Sequence, residues 1–437
     1  MSESARSFAK LRTQPATAAI LTLGCKLNIA DSEAMARRLR EAGWRVVDRP
    51  ADAEAVIVNS CSVTHVADQK SRHLVRLARR VAPKATVALT GCLLETASPQ
   101  TIDALGADLA YRQPAQLALA ERIIELRPAE ARPHPGPLPE GEGVRRTLKT
   151  RAFIAAQQGC NDVCAFCIIP RTRGRERSKS VEAIVAEARA RAAESVQEVV
   201  ITGTQLGAYG RDRGVSLHDL MGALLAETAI PRIRMSSVQP QDMTDELIEL
   251  WGDPRLCRHF HLALQSGSET VLRRMRRRYS AAQYRAAVDR LREAISDVAI
   301  TTDVIVGFSG ETEAELEESY AFCREMAFAG VHVFHYSQRQ GTVAFKLPDQ
   351  VPEPVKKERV HRLLALAGEM SAAYRRRFLG TMSPVLWEKR REDGRWEGLT
   401  DTYVRVRAAA DADLTNRLTA ARLTALDEDG LYAEVMA

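Results

Sequence analysis

The sequence predicts an α/β protein in three parts: an N-terminal domain on a parallel sheet, a central partial barrel of six strand-and-helix units, and a small antiparallel β-barrel at the C-terminus. Three observations predict it. Short apolar runs alternate with helical patterns from Ala18 onward, and the alternation resumes after a Pro- and Gly-rich interruption. From about Gly380 only short strand-like runs remain, separated by turns such as Asp393-Gly394 and Asp429-Gly430. A chain of 437 residues is long for one core and suits such a division.

Residues 1–17 carry Arg6, Lys10 and Arg12 among Ser and Ala. Glu3 and the lack of amphipathy favour a flexible extension over a transit peptide. Residues 18–126 form the first domain. Apolar runs at Ala18–Leu23, 55–59 and 85–89 end at Gly24-Cys25, Cys61 and Gly91-Cys92, with helical patterns over 31–41 and 66–81 between them. Strands that alternate with helices form a parallel sheet, whose carboxyl ends share one edge. Cys25, Cys61 and Cys92 therefore converge, although each alone would read as a small buried hydrophobe.

Residues 127–150, dense in Pro, Gly and charge without periodicity, are a linker. Residues 151–379 then supply six strand-like runs: 152–157, 198–202, 232–236, 259–264, 298–306 and 331–336. Active sites of such barrels lie at the carboxyl ends of the strands, and the motif-like segments fall there. Cys160, Cys164 and Cys167 follow the first run, Gly203-Thr204-Gln205-Leu206-Gly207 the second, Gln265-Ser266-Gly267-Ser268 the fourth, and Gly307-Phe308-Ser309-Gly310-Glu311 the fifth. Glycines there let backbone amides approach a ligand, and turn chemistry alone explains any single one equally well. His259, His261 and Asp303 read either as groups facing the barrel mouth or as satisfied core polar residues.

The three thiols Cys160-x3-Cys164-x2-Cys167 are the most informative pattern in the chain. Zinc staples and ordinary iron-sulfur cubanes close with four ligands, so a set of three argues for a metal centre with an open position. A zinc knuckle completed from elsewhere is the bland alternative. Cys257 and Cys323 fit no pattern and read as small buried hydrophobes.

Residues 380–437 read as the small barrel. Trp387, Trp396 and Tyr403, beside Lys389, Arg390 and Arg391, suit base stacking with phosphate contact if exposed; core packing would account for one or two of them. Net charge is only +6, yet the basic residues cluster. Arg171, Arg173, Arg175, Arg177 and Lys179 follow the cysteine loop, and further runs are Arg273–Arg278, Arg375–Arg377 and Lys389–Arg391. Any one run is commonly a solvated face; four together favour a polyanionic partner. No apolar stretch is long enough for a membrane span or secretory signal, and eight cysteines in a chain of this kind read as metal ligands rather than disulfides. A cytoplasmic enzyme is the expectation.

With both triads and the three-part layout, the chain resembles the methylthiotransferase family of radical S-adenosylmethionine enzymes over nearly its whole length, the linker excepted. The resemblance implies an auxiliary 4Fe-4S cluster on Cys25, Cys61 and Cys92, and a radical 4Fe-4S cluster on Cys160, Cys164 and Cys167 that binds S-adenosylmethionine. It implies further cofactor contacts at Gly203, Thr204, Gln265 and Gly307, a radical S-adenosylmethionine barrel, and a TRAM-like substrate-binding domain. No catalytic residue beyond the cluster ligands follows from it. Thr22-Leu23-Gly24-Cys25-Lys26-Leu27-Asn28 and Ala299–Gly307 look most like the branch that adds a methylthio group to carbon 2 of N6-threonylcarbamoyladenosine beside the tRNA anticodon. The isopentenyladenosine branch usually has Gln-Met after the first cysteine, and the branch acting on a ribosomal-protein aspartate has Pro-Lys; these remain the alternatives. The implied partners are a tRNA anticodon loop, an electron donor and a sulfur source. Ser309 departs from the family's usual proline in Gly-Phe-Pro-Gly-Glu, which puts that loop's geometry in question.

Overall fold

The computed structural model describes residues 15–113, 115–126 and 150–436. Residues 1–14 of the expected N-terminal extension and nearly all of the expected linker lie outside the described residues, whereas Ala16 is buried in the core and Thr17 opens the first strand, so the first domain begins slightly earlier than expected. The chain divides into two compact units, Met1–Val144 with Ile168–Gly174, and Arg145–Cys167 with Arg175–Ala437. The seven residues that follow Cys167 thus belong to the first unit.

In the first unit β1 (Thr17–Thr22), β2 (Arg45–Val47), β3 (Ala55–Ser60), β4 (Thr86–Gly91) and β5 (Leu109–Tyr111) form a parallel sheet in the order β2-β1-β3-β4-β5. Every residue of β3 is buried because both faces are covered. Ile57 packs with Met35, Leu39 and Ile123 on one side, and Val56 and Val58 pack with Val75, Leu89 and Leu93 on the other. The strand order reverses between β1 and β3, and the crevice at their carboxyl ends is where such sheets take ligands.

In the second unit, β6 (Arg151–Gln158), β7 (Arg177–Ser178), β8 (Glu198–Gly203) and β9 (Arg232–Met235) form one sheet, and β10 (Ser237–Val238), β11 (His259–Leu262), β12 (Ala299–Val306) and β13 (Gly330–His335) form another. Only Ser236 separates β9 from β10, so the chain passes directly from one sheet to the next. The six expected strands are all present, with β7 as an additional antiparallel pair to β6. Helices Val181–Ala193, Leu217–Glu227, Ala281–Ala294 and Glu313–Met326 start at Ser180, Ser216, Ser280 and Thr312, whose hydroxyls accept the N–H three residues on. Their apolar faces join Ile154, Ile201, Ile233, Phe260 and Val304 in the main core.

The last part, β14 (Met382–Arg390), β15 (Trp396–Thr400), β16 (Arg405–Ala408), β17 (Leu418–Leu426) and β18 (Leu431–Val435), is a closed barrel. Its pairing is antiparallel except between β16 and β18, which run parallel. Among the described residues no helix is long and apolar enough to cross a membrane.

Candidate functional site

The first cysteine triad stands at the switch-point crevice. Cys25 precedes the helix Lys26–Glu41, which starts five residues earlier than the sequence pattern suggests. Asn28 in its first turn donates to the carbonyls of Leu23 (2.6 Å) and Ser60 (3.0 Å), and thereby ties the ends of β1 and β3 together. Gly24, at φ +114°, presents its backbone to Cys61: a side chain there would meet Cys61 Cβ at 3.0 Å and Sγ at 3.2 Å. Gly91, at φ +94°, lies against the Ser60 carbonyl in the same way, so Cys92 follows β4 without a gap. The three cysteines that follow β1, β3 and β4 share this edge, close enough to act on one another electrostatically. Burial pushes the Cys61 thiol up to about 11, and the neighbouring Cys92 and Cys25 push in the same direction.

Arg173 completes this crevice. It is buried and donates to Asp31 at 2.9 Å and to the Asn28 amide oxygen. Burial raises the pKa of Cys92, while Arg173 and the Thr172 hydroxyl, both hydrogen-bonded to its sulfur, pull it down. Arg173, expected from its basic run to face a polyanion, instead serves the thiol crevice.

The second triad occupies the loop between β6 and β7. Ala165 anchors the loop from within, donating to the Met275 carbonyl (2.9 Å) and accepting from Ala344 N–H (2.7 Å). Burial pushes Cys160 up to about 11, and the Asp162 N–H donates to its sulfur at 3.4 Å. Arg277 donates to Cys164 Sγ at 3.1 Å, while Arg278 and Gln239 hold Asp162 at 2.8 and 3.0 Å. Two members of the run Arg273–Arg278 are thus committed to the cysteine loop, and Arg274 to Glu315, rather than to an external partner. Hydrogen-bond donors aimed at partly buried sulfurs suit thiolates that ligate a metal cluster, since such bonds to sulfur tune iron-sulfur sites. Three thiols per site, each site partly desolvated, fit the implied 4Fe-4S groups.

The segments proposed to contact S-adenosylmethionine lie at the strand ends. Thr204 Oγ1 accepts from Gly159 N–H at 3.2 Å, and Gly203 packs on Gln157, so both brace the segment entering Cys160. Gln265, at φ +68°, links the end of β11 to β12 by donating to the Asp303 carbonyl and accepting from Ile305 N–H, both at 2.8 Å. The Gly307 N–H is used internally by Glu311 (2.7 Å). Ser309 replaces the family proline with a hydroxyl that donates to the Pro348 carbonyl and accepts from Gln350 (3.2 Å), which closes the loop by a different bond.

The barrel lumen is polar at its amino end. Glu198 is wholly buried between Arg232 and Arg234; burial alone would raise its pKa, but the two guanidinium groups hold it at about 2. Arg232 and Arg234 also donate to the carbonyls of Leu399, Thr400 and Asp401 in the C-terminal barrel (2.7–3.0 Å). Tyr403, at φ +66°, stacks on His259 with ring centroids 4.7 Å apart and lies 4.8 Å from the Arg234 guanidinium. His259 and His261 both reach Thr301 Oγ1, at 2.9 and 3.0 Å.

Of the three C-terminal aromatics, core packing accounts for two: Trp387 and Trp396 fill the barrel core with Val385, Val406 and Leu423, while Tyr403 stacks on His259 and stays 37% exposed. Lys389 and Arg391 are drawn to Glu397, and Arg375 is buried against the carbonyls of Asp427, Glu428 and Gly430. Cys257 and Cys323 are buried, as expected of small hydrophobes.

Residues 154–323 match the Radical SAM superfamily, and residues 17–110 match the uncharacterized protein family UPF0004. The chain is 34% identical to the threonylcarbamoyladenosine tRNA methylthiotransferase MtaB of Bacillus subtilis, over 93% of this chain and 94% of that protein. The chain belongs to the radical S-adenosylmethionine methylthiotransferase family. It is also 35% identical to MtaB of Thermotoga maritima (95% and 96% covered) and 33% identical to the tRNA-2-methylthio-N(6)-dimethylallyladenosine synthase of Caldicellulosiruptor saccharolyticus (95% and 92%). The fold of this methylthiotransferase is shared with the radical S-adenosylmethionine methyltransferase TsrM from Kitasatospora setae, at TM-score 0.53 and 15% identity over 74% of this chain and 75% of that one.

Proposed function

We propose that the protein is a tRNA methylthiotransferase that adds a methylthio group to carbon 2 of N6-threonylcarbamoyladenosine beside the anticodon. The observation that carries this reading is the pair of three-cysteine sites in one chain, each served by its own arginine, Arg173 or Arg277. The relatives named for threonylcarbamoyladenosine support the substrate. When bound, the clusters and S-adenosylmethionine supply the radical that an unactivated ring carbon requires, together with the sulfur to be transferred.

The chain's own residues do the rest. Cys160, Cys164 and Cys167 hold the radical centre, and Cys25, Cys61 and Cys92 hold the auxiliary one. Arg277 and Arg173 place fixed donors at sulfur. Gly203, Thr204 and Gln265 flank the S-adenosylmethionine pocket, with Gly307 shaping the turn behind it. The C-terminal barrel is a TRAM-like RNA-binding element, and the target base is splayed from a single-stranded loop. The reaction draws on an electron donor and a sulfur source, and the compartment is the cytoplasm.

Nucleoside mass spectrometry of tRNA from a deletion strain tests the proposal. Loss of the methylthio form of threonylcarbamoyladenosine is expected; an unchanged level would refute the substrate. The dimethylallyladenosine reading is second, favoured by a relative of nearly equal identity. Loss of the methylthio form of that nucleoside instead would establish it.

A further inference from the structure

The lumen face of β11, β12 and β13 carries a group that the reading above leaves unused. His261, Asp303 and His332 each bring a ring nitrogen or carboxylate oxygen within 4.8 Å of the other two. The strands are paired neighbours, with His261 opposite Thr301 and Asp303 opposite His332. Phe260, Leu262, Val304, Val331 and Val333 point to the helices and the main core, so alternation turns His261, Asp303, His332 and Phe334 to the lumen.

The group is organised yet open. Thr301 Oγ1 fixes His261 through Nδ1 at 3.0 Å, and Nε2 sits 3.2 Å from Asp303 Oδ2. The Asp303 side chain remains 30% exposed, and His332 and Phe334 are exposed.

We propose that His261, Asp303 and His332 form the subsite for a polar, carboxylate-bearing substituent on N6 of the substrate adenine. This rests on the tRNA reading above and deepens it. A threonylcarbamoyl group carries a carboxylate, a hydroxyl and amide N–H groups. His332 stands beside the His261–Asp303 pair, where an imidazole ring N–H can turn to donate to a ligand carboxylate. Asp303 accepts from the hydroxyl or an amide N–H. Phe334, one pleat nearer the carboxyl end than His332, offers a flat apolar face to the base.

The depth is also right. Arg277, which contacts Cys164, donates to Tyr279 Oη at 3.1 Å, and that hydroxyl donates to the Leu264 carbonyl at 2.8 Å. Leu264 is three residues beyond His261, at most about 10 Å away along the chain. An alkenyl substituent in this place would desolvate two imidazoles and a carboxylate while offering them no hydrogen bond in return, the situation that gives polar sites large rejection ratios. A divalent cation is the competing occupant of two histidines and a carboxylate. Against it, His261 and Asp303 already satisfy each other at hydrogen-bond distance.

The test uses full-length, anaerobically reconstituted protein and anticodon stem-loop RNAs bearing either N6-threonylcarbamoyladenosine or N6-dimethylallyladenosine. Wild-type protein should prefer the first by about 100-fold or more in kcat/KM. His332→Leu should lose about 10- to 100-fold on that RNA, mostly in KM, and narrow the preference. His332→Gln, which keeps a donor and the polar volume, should recover part of the loss, with iron content and melting temperature confirming that both variants fold. If wild-type protein acts on the threonylcarbamoyl RNA and both variants keep its KM and preference, the subsite is overturned while the function stands. If wild-type protein modifies neither RNA, or only the dimethylallyl one, the substrate reading fails and the subsite with it. About one equivalent of zinc per chain, lost in His332→Leu, would make the group a metal site and overturn the proposal.

Discussion

Glu198 and Arg234 form a two-bonded ion pair in the barrel lumen, at 2.8 and 3.1 Å, with both side chains fully inaccessible to solvent. The carboxylate is charged there because Arg234 and Arg232 together outweigh its desolvation. Its pKa is depressed from 4.5 to about 2, so the stabilisation is present above about pH 4.5 and is lost as pH falls through 2. The fall should amount to about 3 kcal/mol. Chemical denaturation between pH 5 and 2 should show a steeper loss in the wild-type protein than in Glu198→Gln; equal slopes would contradict this assignment. Glu198→Ala should cost about 3–5 kcal/mol, because it leaves two buried guanidinium groups without their anion.

Asp31 loses its buried partner in Arg173→Met. The single variant should be less stable by about 3–5 kcal/mol, and adding Asp31→Leu should restore much of that. Urea unfolding of the two variants checks it. A double variant no better than the single would mean that the pair is not coupled.

The triads should separate by readout. Anaerobically purified wild-type protein should carry about eight irons per chain, and serine at Cys25, Cys61 and Cys92 should leave about four. That triple variant should still cleave S-adenosylmethionine on reduction yet form no methylthio product. The matching change at Cys160, Cys164 and Cys167 should abolish the cleavage itself. Iron analysis with quantification of 5'-deoxyadenosine distinguishes them.

Ser309 holds its loop through one hydroxyl. Ser309→Ala should destabilise by about 1–3 kcal/mol, since it removes the two hydrogen bonds of that hydroxyl. A thermal melt reads this directly; no change would mean that the bonds to Pro348 and Gln350 contribute nothing net.

Much of this was legible in the chain. β3 and β4, and the first half of β1, show as apolar runs because covered parallel strands are buried on both faces, and the thiols that follow these strands mark one edge. β2 and β5, three residues each at the sheet edges, carry too little apolar sequence to show. Arg173 and Arg277 were misread for a different reason. A guanidinium within a basic run resembles solvated surface, and only the fold brings Arg173 to Asp31 or Arg277 to Cys164. His332 was missed because its partners lie on two other strands, a relationship of register rather than of spacing. Trp387 and Trp396 suggested a stacking surface through their basic neighbours, whereas Val385 and Trp387, alternating on β14, point into the barrel core.

The segment Ile168–Gly174 sets an order in time. During synthesis the N-terminal unit leaves the ribosome first, and its sheet and flanking helices can assemble at once. Its crevice cannot close then, because Arg173 is made 142 residues after Asp31. The thiol edge of the first unit therefore gains its last hydrogen-bonding partner only after the chain has already produced Cys160, Cys164 and Cys167.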